Sequence, residues 1–252
     1  SASSFLAHAI PTGLGISSEP LWRPGGSKNQ PNEAPSNVGA FHESIAGGAW
    51  PLFLLHQRFV QRAATEKTFA LHHIPAHPIN RVLLNEFYRR IVVHVRDPRQ
   101  ITLSYLRNML RHQAEGEGFL DKVLFLPNDF FQRSFSEQLD CLIDEKMVEF
   151  TTWMEEWISA DADETFLPKI LFTTYEDFVR DKVAFIHGIL DFYEIDRERF
   201  QYDIEMEPDP GQYLYRREEV TDEWRNIFTD LQQSRANNVL PDELCERFGW
   251  SR

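Results

Sequence analysis

Residues 91–95 read Ile-Val-Val-His-Val, and Asp97-Pro98 follows almost at once. A β-branched run with no polar alternation fits a strand buried on both faces, and the Asp-Pro pair bounds it. Residues 100–112 then carry helical spacing. A strand covered on both faces needs helices above and below it. The chain is therefore expected to form a mostly parallel sheet packed between helices, with ligands beyond the carboxyl ends of the strands.

The rest of the chain supports that alternation. Residues 51–64 predict a helix, 68–74 a short strand stopped by Pro75, and 169–174 (Lys-Ile-Leu-Phe-Thr-Thr) a further strand. The longest helix is expected over 134–158. Ser134 and Glu137 match a capping box there, and Phe135, Leu139, Leu142, Ile143, Met147, Phe150, Met154 and Trp157 fall on one face. Asp181 suits the N-cap of a helix running to about Tyr193. Short helices near 222–236 and 241–248 complete the sequence. Residues 11–50 are rich in Pro, Gly, Ser and Asn and predict a long loop, either functional or disordered. No internal repeat is found, and the 252 residues read as one domain, a three-layer α/β/α sandwich.

Charge narrows the partners. The chain carries a net charge of −13, which argues against a general nucleic-acid binder. Its distribution is uneven. Residues 89–112 hold Arg89, Arg90, Arg96, Arg99, Arg107 and Arg111 against Asp97 alone, a local +5, while 113–165 carry −11. The basic stretch spans a strand end and the next helix, where a phosphate can use guanidinium forks and helix N-terminal amides together. Arg96 ends the strand, and Ser104 lies eight residues on. They could grip a phosphate; equally, the Arg could form a structural Arg–Asp pair beside an ordinary helix Ser. No apolar run has the length of a membrane span. Two distant cysteines, Cys141 and Cys245, and the lack of any Asn-x-Ser/Thr acceptor favour a cytoplasmic setting, with a trimmed lumenal domain left open.

Four segments, in order, resemble the sulfotransferase family that uses 3′-phosphoadenosine 5′-phosphosulfate (PAPS) and yields adenosine 3′,5′-bisphosphate (PAP). Ser1-Ala2-Ser3-Ser4-Phe5 is similar to the latter part of the family's 5′-phosphosulfate loop, Lys-Ser-Gly-Thr-Thr-Trp. The strand with Arg96-Asp97-Pro98-Arg99 and Ser104 resembles its 3′-phosphate motif. Leu171-Phe-Thr-Thr-Tyr175-Glu176-Asp177-Phe178 resembles its strand–Tyr-Glu-Asp segment, and Trp224-Arg225-Asn226-Ile-Phe228-Thr229 its Trp-Lys-Asn-x-Phe-Thr. The resemblance implies a P-loop-like sulfotransferase fold. It places Ser1, Ala2, Ser3 and Ser4 at the phosphosulfate, Arg96, Ser104 and Arg217 at the 3′-phosphate, and Tyr175 and Phe5 near adenine. The sequence departs from the family in three ways. Phe5 stands for a Trp, Glu218-Glu219 for Lys-Gly after Arg217, and no strand or cation precedes Ser1 in the chain as given.

The family's base is a His in Lys-Thr-His-Leu-Pro, and Leu71-His72-His73-Ile74-Pro75 aligns with it. That makes His73 the expected catalytic base, with His72, His77 and His42 as alternates. No metal site is expected: Pro75 and Pro78 forbid the helix that would align His73 with His77, and no nearby Cys or Asp completes a set. Gly25-Gly26-Ser27-Lys28 lacks the spacing of a kinase P-loop and has no strand before it. The expected acceptor is a hydroxyl on a small molecule, acyl chain or glycan, met by residues 11–50 and 114–165. The competing expectation is a non-catalytic nucleotide-binding or scaffold module that keeps the fold.

Overall fold

The computed structural model describes residues 2–17, 54–114, 126–203 and 220–252. Two strands form its regular sheet. β1 (Arg90–Val95) pairs in parallel with β2 (Lys169–Thr174), with Arg90 opposite Lys169 and Val95 opposite Thr174. Both lie where the β-branched runs place them.

Alternation along these strands feeds two separate apolar clusters. Ile91, Val93 and Val95 of β1, with Ile170 and Phe172 of β2, turn to one face. They pack there against α4 (Pro98–Ala114), α5 (Phe135–Ala162) and the C-terminal helices α8 (Trp224–Ile227), α9 (Asp230–Val239) and α10 (Asp242–Phe248). Val92 and Leu171 turn to the other face. They meet α1 (Ala2–Leu14), α6 (Tyr175–Arg180) and α7 (Lys182–Phe192). Helices thus cover both faces of the pair, as a strand without polar alternation requires.

The 28-residue α5 is the spine of the larger cluster. Its capping box is present in full: Ser134 Oγ accepts from the Glu137 N–H, and the Glu137 carboxylate accepts from the Ser134 N–H. Such a cap contributes about 1 kcal/mol. Leu139, Leu142, Ile143, Met147, Phe150, Met154 and Trp157 are buried, each worth roughly 1.5–3 kcal/mol relative to exposure. Phe135, placed on the same stripe by sequence, is 39% exposed, because the first turn of α5 runs past the edge of the cluster.

Three local expectations change. Residues 68–74 do not form a regular strand: Phe69 alone makes a bridge, donating its N–H to Ser17 O at 2.9 Å. Helix α3 (Pro78–Phe87) follows, with Pro78 at its first position, where a missing N–H costs nothing. The first residues of the expected 11–50 loop belong to α1, which includes Pro11 and ends at Gly15 with φ +63°. Gly13 is required there. A Cβ on it would lie 2.4 Å from the Phe200 ring, and its carbonyl accepts the Gln201 N–H at 2.8 Å. The helix expected over 51–64 is α2 (Gln57–Glu66), which starts after the non-helical residues 54–56 and buries Val60 and Ala63. Among the described residues, no helix is long and apolar enough to cross a membrane.

Candidate functional site

The parallel register sets up a ladder on one face of the sheet. Val92 and Leu171 lie within the smaller apolar cluster. One step along, His94 Nδ1 lies 3.0 Å from Thr173 Oγ1 across the strands. Beyond the last pair, the Arg96 guanidinium stacks 3.8 Å above the centre of the Tyr175 ring. Polarity therefore rises from apolar to hydrogen-bonded to cationic towards the carboxyl edge of the sheet. Ligands bind at that edge in sheets of this kind.

Arg96 is poorly provided for by the protein itself. Nη2 donates to Val220 O at 3.1 Å, while Nε is buried with no hydrogen-bond partner among the described residues. No carboxylate there forms an ion pair with it. Burial lowers its pKa, against the opposing pull of Tyr175, Glu176, Asp97 and Glu223. A guanidinium stays charged under such conditions, and an unmet donor on a buried cation is costly unless an anion takes it.

The structural Arg–Asp pair belongs to Arg99, not Arg96. Arg99 is fully buried, and its Nε and Nη2 fork onto the Asp97 carboxylate at 2.9 and 2.6 Å. Its remaining donors reach Asn237 Oδ1 at 2.7 Å and Ser251 O at 2.9 Å, and its plane lies 4.0 Å from the Trp224 ring. Glu176 locks the same turn: one oxygen accepts the Asp97 N–H at 3.3 Å and the other the Trp250 Nε1–H at 3.2 Å. Burial raises the Glu176 pKa.

Phe5 and Tyr175 do come together. Phe178 bridges them, 5.2 Å from Phe5 and 6.1 Å from Tyr175, so Phe5, Phe178, Tyr175 and Arg96 form one continuous stack. Phe5 is 9% and Tyr175 5% exposed, so the two rings are part of the packing around the site. Ser104 is half-buried on α4, its hydroxyl unengaged among the described residues. Ala2, Ser3 and Ser4 open α1. Ser1, Arg217, Glu218 and Glu219 lie outside the described residues, as does His42.

His73 exposes surface to solvent but stands deep enough in the protein for desolvation to lower its pKa. Its neighbour His72 is brought down to about 4, mainly by burial and then by His73. His94 also falls to about 4, through burial first, then Arg96 and His73, with Asp177 opposing. His73 thus lies within electrostatic reach of the His94–Arg96 edge. The sequence assigns no site role to His94, Thr173 or Glu176, although Thr173 and Glu176 lie in the strand–Tyr-Glu-Asp segment. The strand register could have shown His94, since it shares a face with Arg96. Among the described residues, no group of His, Cys, Asp or Glu is arranged to hold a metal ion.

The family of the sulfotransferase domain matches residues 55–245. The chain belongs to the sulfotransferase family. No curated protein and no solved structure matches it. The matched span of this sulfotransferase includes the whole ladder, His73 and, of the Arg99 lock, Asp97, Glu176, Trp224 and Asn237, while Trp250 and Ser251 lie beyond it.

One prediction follows from the sulfotransferase's buried imidazoles. His94 has a pKa of about 4 when folded and near 6.5 when unfolded. The unfolded chain therefore takes up the proton first. Its contribution to stability is complete above pH 6.5 and is lost as pH falls towards 4, at up to about 1.4 kcal/mol per pH unit. Urea unfolding between pH 4.5 and 7.5 should show this slope. His94→Phe should flatten it; an unchanged slope would refute the assignment.

Proposed function

We propose that the chain transfers a sulfuryl group from PAPS to a hydroxyl acceptor, releasing PAP. The observation that carries this reading is Arg96: a partly buried guanidinium at the sheet edge with an unmet Nε donor and no paired carboxylate among the described residues. It is what a bound phosphate requires. On this reading Arg96, Ser104 and Arg217 hold the 3′-phosphate. Ser1 to Ser4, where α1 begins, hold the phosphosulfate, and the Tyr175–Phe5 stack lies beside adenine. The three-layer, P-loop-like sandwich formed by residues 1–252 as one domain is part of the same proposal, supported by the two clusters on opposite faces of the strands.

PAPS supplies an activated sulfuryl group and a stable leaving bisphosphate. The protein's task is to place the acceptor in line and to take its proton. His73 suits the second role. Its lowered pKa keeps the ring neutral near pH 7, so that it takes the hydroxyl proton as the acceptor oxygen bonds to sulfur and the sulfur–bridging-oxygen bond breaks. The acceptor class is a small-molecule, acyl or glycan hydroxyl. A cytoplasmic setting, argued from the two distant cysteines with a trimmed lumenal domain left open, and the lack of nucleic-acid binding, argued from the −13 charge, complete the proposal.

A panel of hydroxyl acceptors incubated with PAPS and read by mass tests it. Sulfated product is expected. PAP binding with no turnover on any acceptor would instead favour a scaffold that keeps the fold. His73→Ala should lower turnover by about 10²–10⁴-fold while leaving PAP binding intact. Unchanged turnover, or lost binding, would remove His73 from the role of base.

A further inference from the structure

The segment that carries His72 and His73 has no regular ladder to hold it. Beyond the bridge at Phe69, residues 70–77 are irregular up to the start of α3. Their backbone is held by side chains, mostly from one face of α5. Trp153 Nε1 and Trp157 Nε1 both donate to the Ile74 carbonyl oxygen, each at 2.8 Å. Glu156 lies on the same face, beside the Ala76 backbone. Next along, the Pro75 carbonyl accepts Asn80 Nδ2 at 3.0 Å, and Asn80 Oδ1 accepts the Leu55 N–H at 2.8 Å.

Residues 153, 156 and 157 are spaced i, i+3, i+4 and so share one helix face. A single indole would satisfy the Ile74 carbonyl. Two, one turn apart, occupy both lone-pair directions and fix its orientation as well as its place. Pro75 adds to this, because it restricts Ile74 to extended backbone. Trp157 is itself immobilised, buried between Trp153 and Phe166 with ring centres 6.4 and 6.2 Å away. His73 is the residue immediately before this clamped carbonyl unit. A helix with a full capping box therefore sets where the backbone next to His73 stands relative to the His94–Arg96 edge.

We propose that Trp153 and Trp157 are positioning residues that hold His73 in its working place by clamping the Ile74 carbonyl, an inference that rests on His73 as the base. Neither indole touches the reacting groups. Their effect is exerted through the backbone.

The test uses the full chain labelled with ¹⁵N-histidine, the His73 ring being assigned by its loss in His73→Gln. Trp153→Phe and Trp157→Phe keep an aromatic six-membered ring at each place and remove the N–H donor together with the five-membered half of the indole. In the double variant the His73 titration midpoint should rise towards 6.5 by about 0.5 pH unit or more, as the ring leaves its desolvated place. The backbone amide resonance of His187 on α7 should stay where it is in the parent, and PAP affinity should stay within about twofold, since the 3′-phosphate edge is not altered. If the double variant does not fold, Trp153→Phe alone carries the same readout from a half-buried site. A His73 midpoint identical to the parent's overturns the proposal. So does a displaced or broadened His187 amide resonance, which would mark a general loosening. The base assignment fails separately: His73→Ala with full turnover would sink it while leaving the titration result standing.

Discussion

Arg96→Gln is expected to abolish the thermal stabilisation that PAP gives the parent protein, with little change in the melting temperature of the free protein. The two halves have different causes. In the free protein the Arg96 Nε is buried without a partner, so the charge is a burden as much as a support. Gln keeps a donor for Val220 O and removes that burden. With ligand, linkage adds about 2.7 kcal/mol at a hundred times Kd, roughly 5–10 °C for a chain of this size. Loss of a charge-assisted fork to a phosphate costs about 1.5–3 kcal/mol per bond. At fixed PAP the shift should vanish, and calorimetry should show affinity falling by about a hundredfold. A shift retained in Arg96→Gln would rule out this arginine as the phosphate anchor.

Arg99→Met should do the reverse. Arg99 is 0% and Asp97 3% exposed, and the pair is satisfied by Asn237, Ser251 O and the Trp224 face. Methionine fills the volume but leaves the Asp97 carboxylate buried and uncompensated. Breaking one side of a buried pair costs about 3–5 kcal/mol. Unfolding in urea should move by that amount, and the melting temperature should drop by about 10 °C with or without PAP. A loss below about 1 kcal/mol would show that the pair is not the structural lock described. Two arginines three positions apart thus carry opposite duties, and the free and ligand-bound melting curves separate them.

What could be read in advance follows from how local each cause is. β1 and β2 are legible because a β-branched run buried on both faces has few alternatives, and the caps at Ser134 and Asp181 because a single side chain meets a nearby N–H. The Arg-Asp-Pro-Arg segment showed that a phosphate grip and a structural pair were both open. Only tertiary partners 138 and 152 residues away assign the pair to Arg99. Residues 68–74 look like a strand by composition, yet their backbone bonds to indoles and amides from elsewhere, and no local pattern encodes that. Helix α6 escaped notice because it is one six-residue stretch whose N-cap, Thr174, is also the last residue of a strand. The ladder through His94 needed the register of two strands that are 79 residues apart.

The lock around Arg99 also bears on how the protein is made. Arg99 leaves the ribosome long before Ser251, which lies 152 residues further on. At ordinary elongation rates that interval is about 8–30 s. Throughout it the fork on Asp97 cannot be enclosed, because Asn237, Trp224 and the backbone at 251 do not yet exist. The turn after β1 must stay hydrated, or be sheltered by a chaperone, until residue 251 has been added. A nascent chain stalled before residue 237 should therefore remain sensitive to protease around residues 97–99, and become resistant only once residue 251 has emerged.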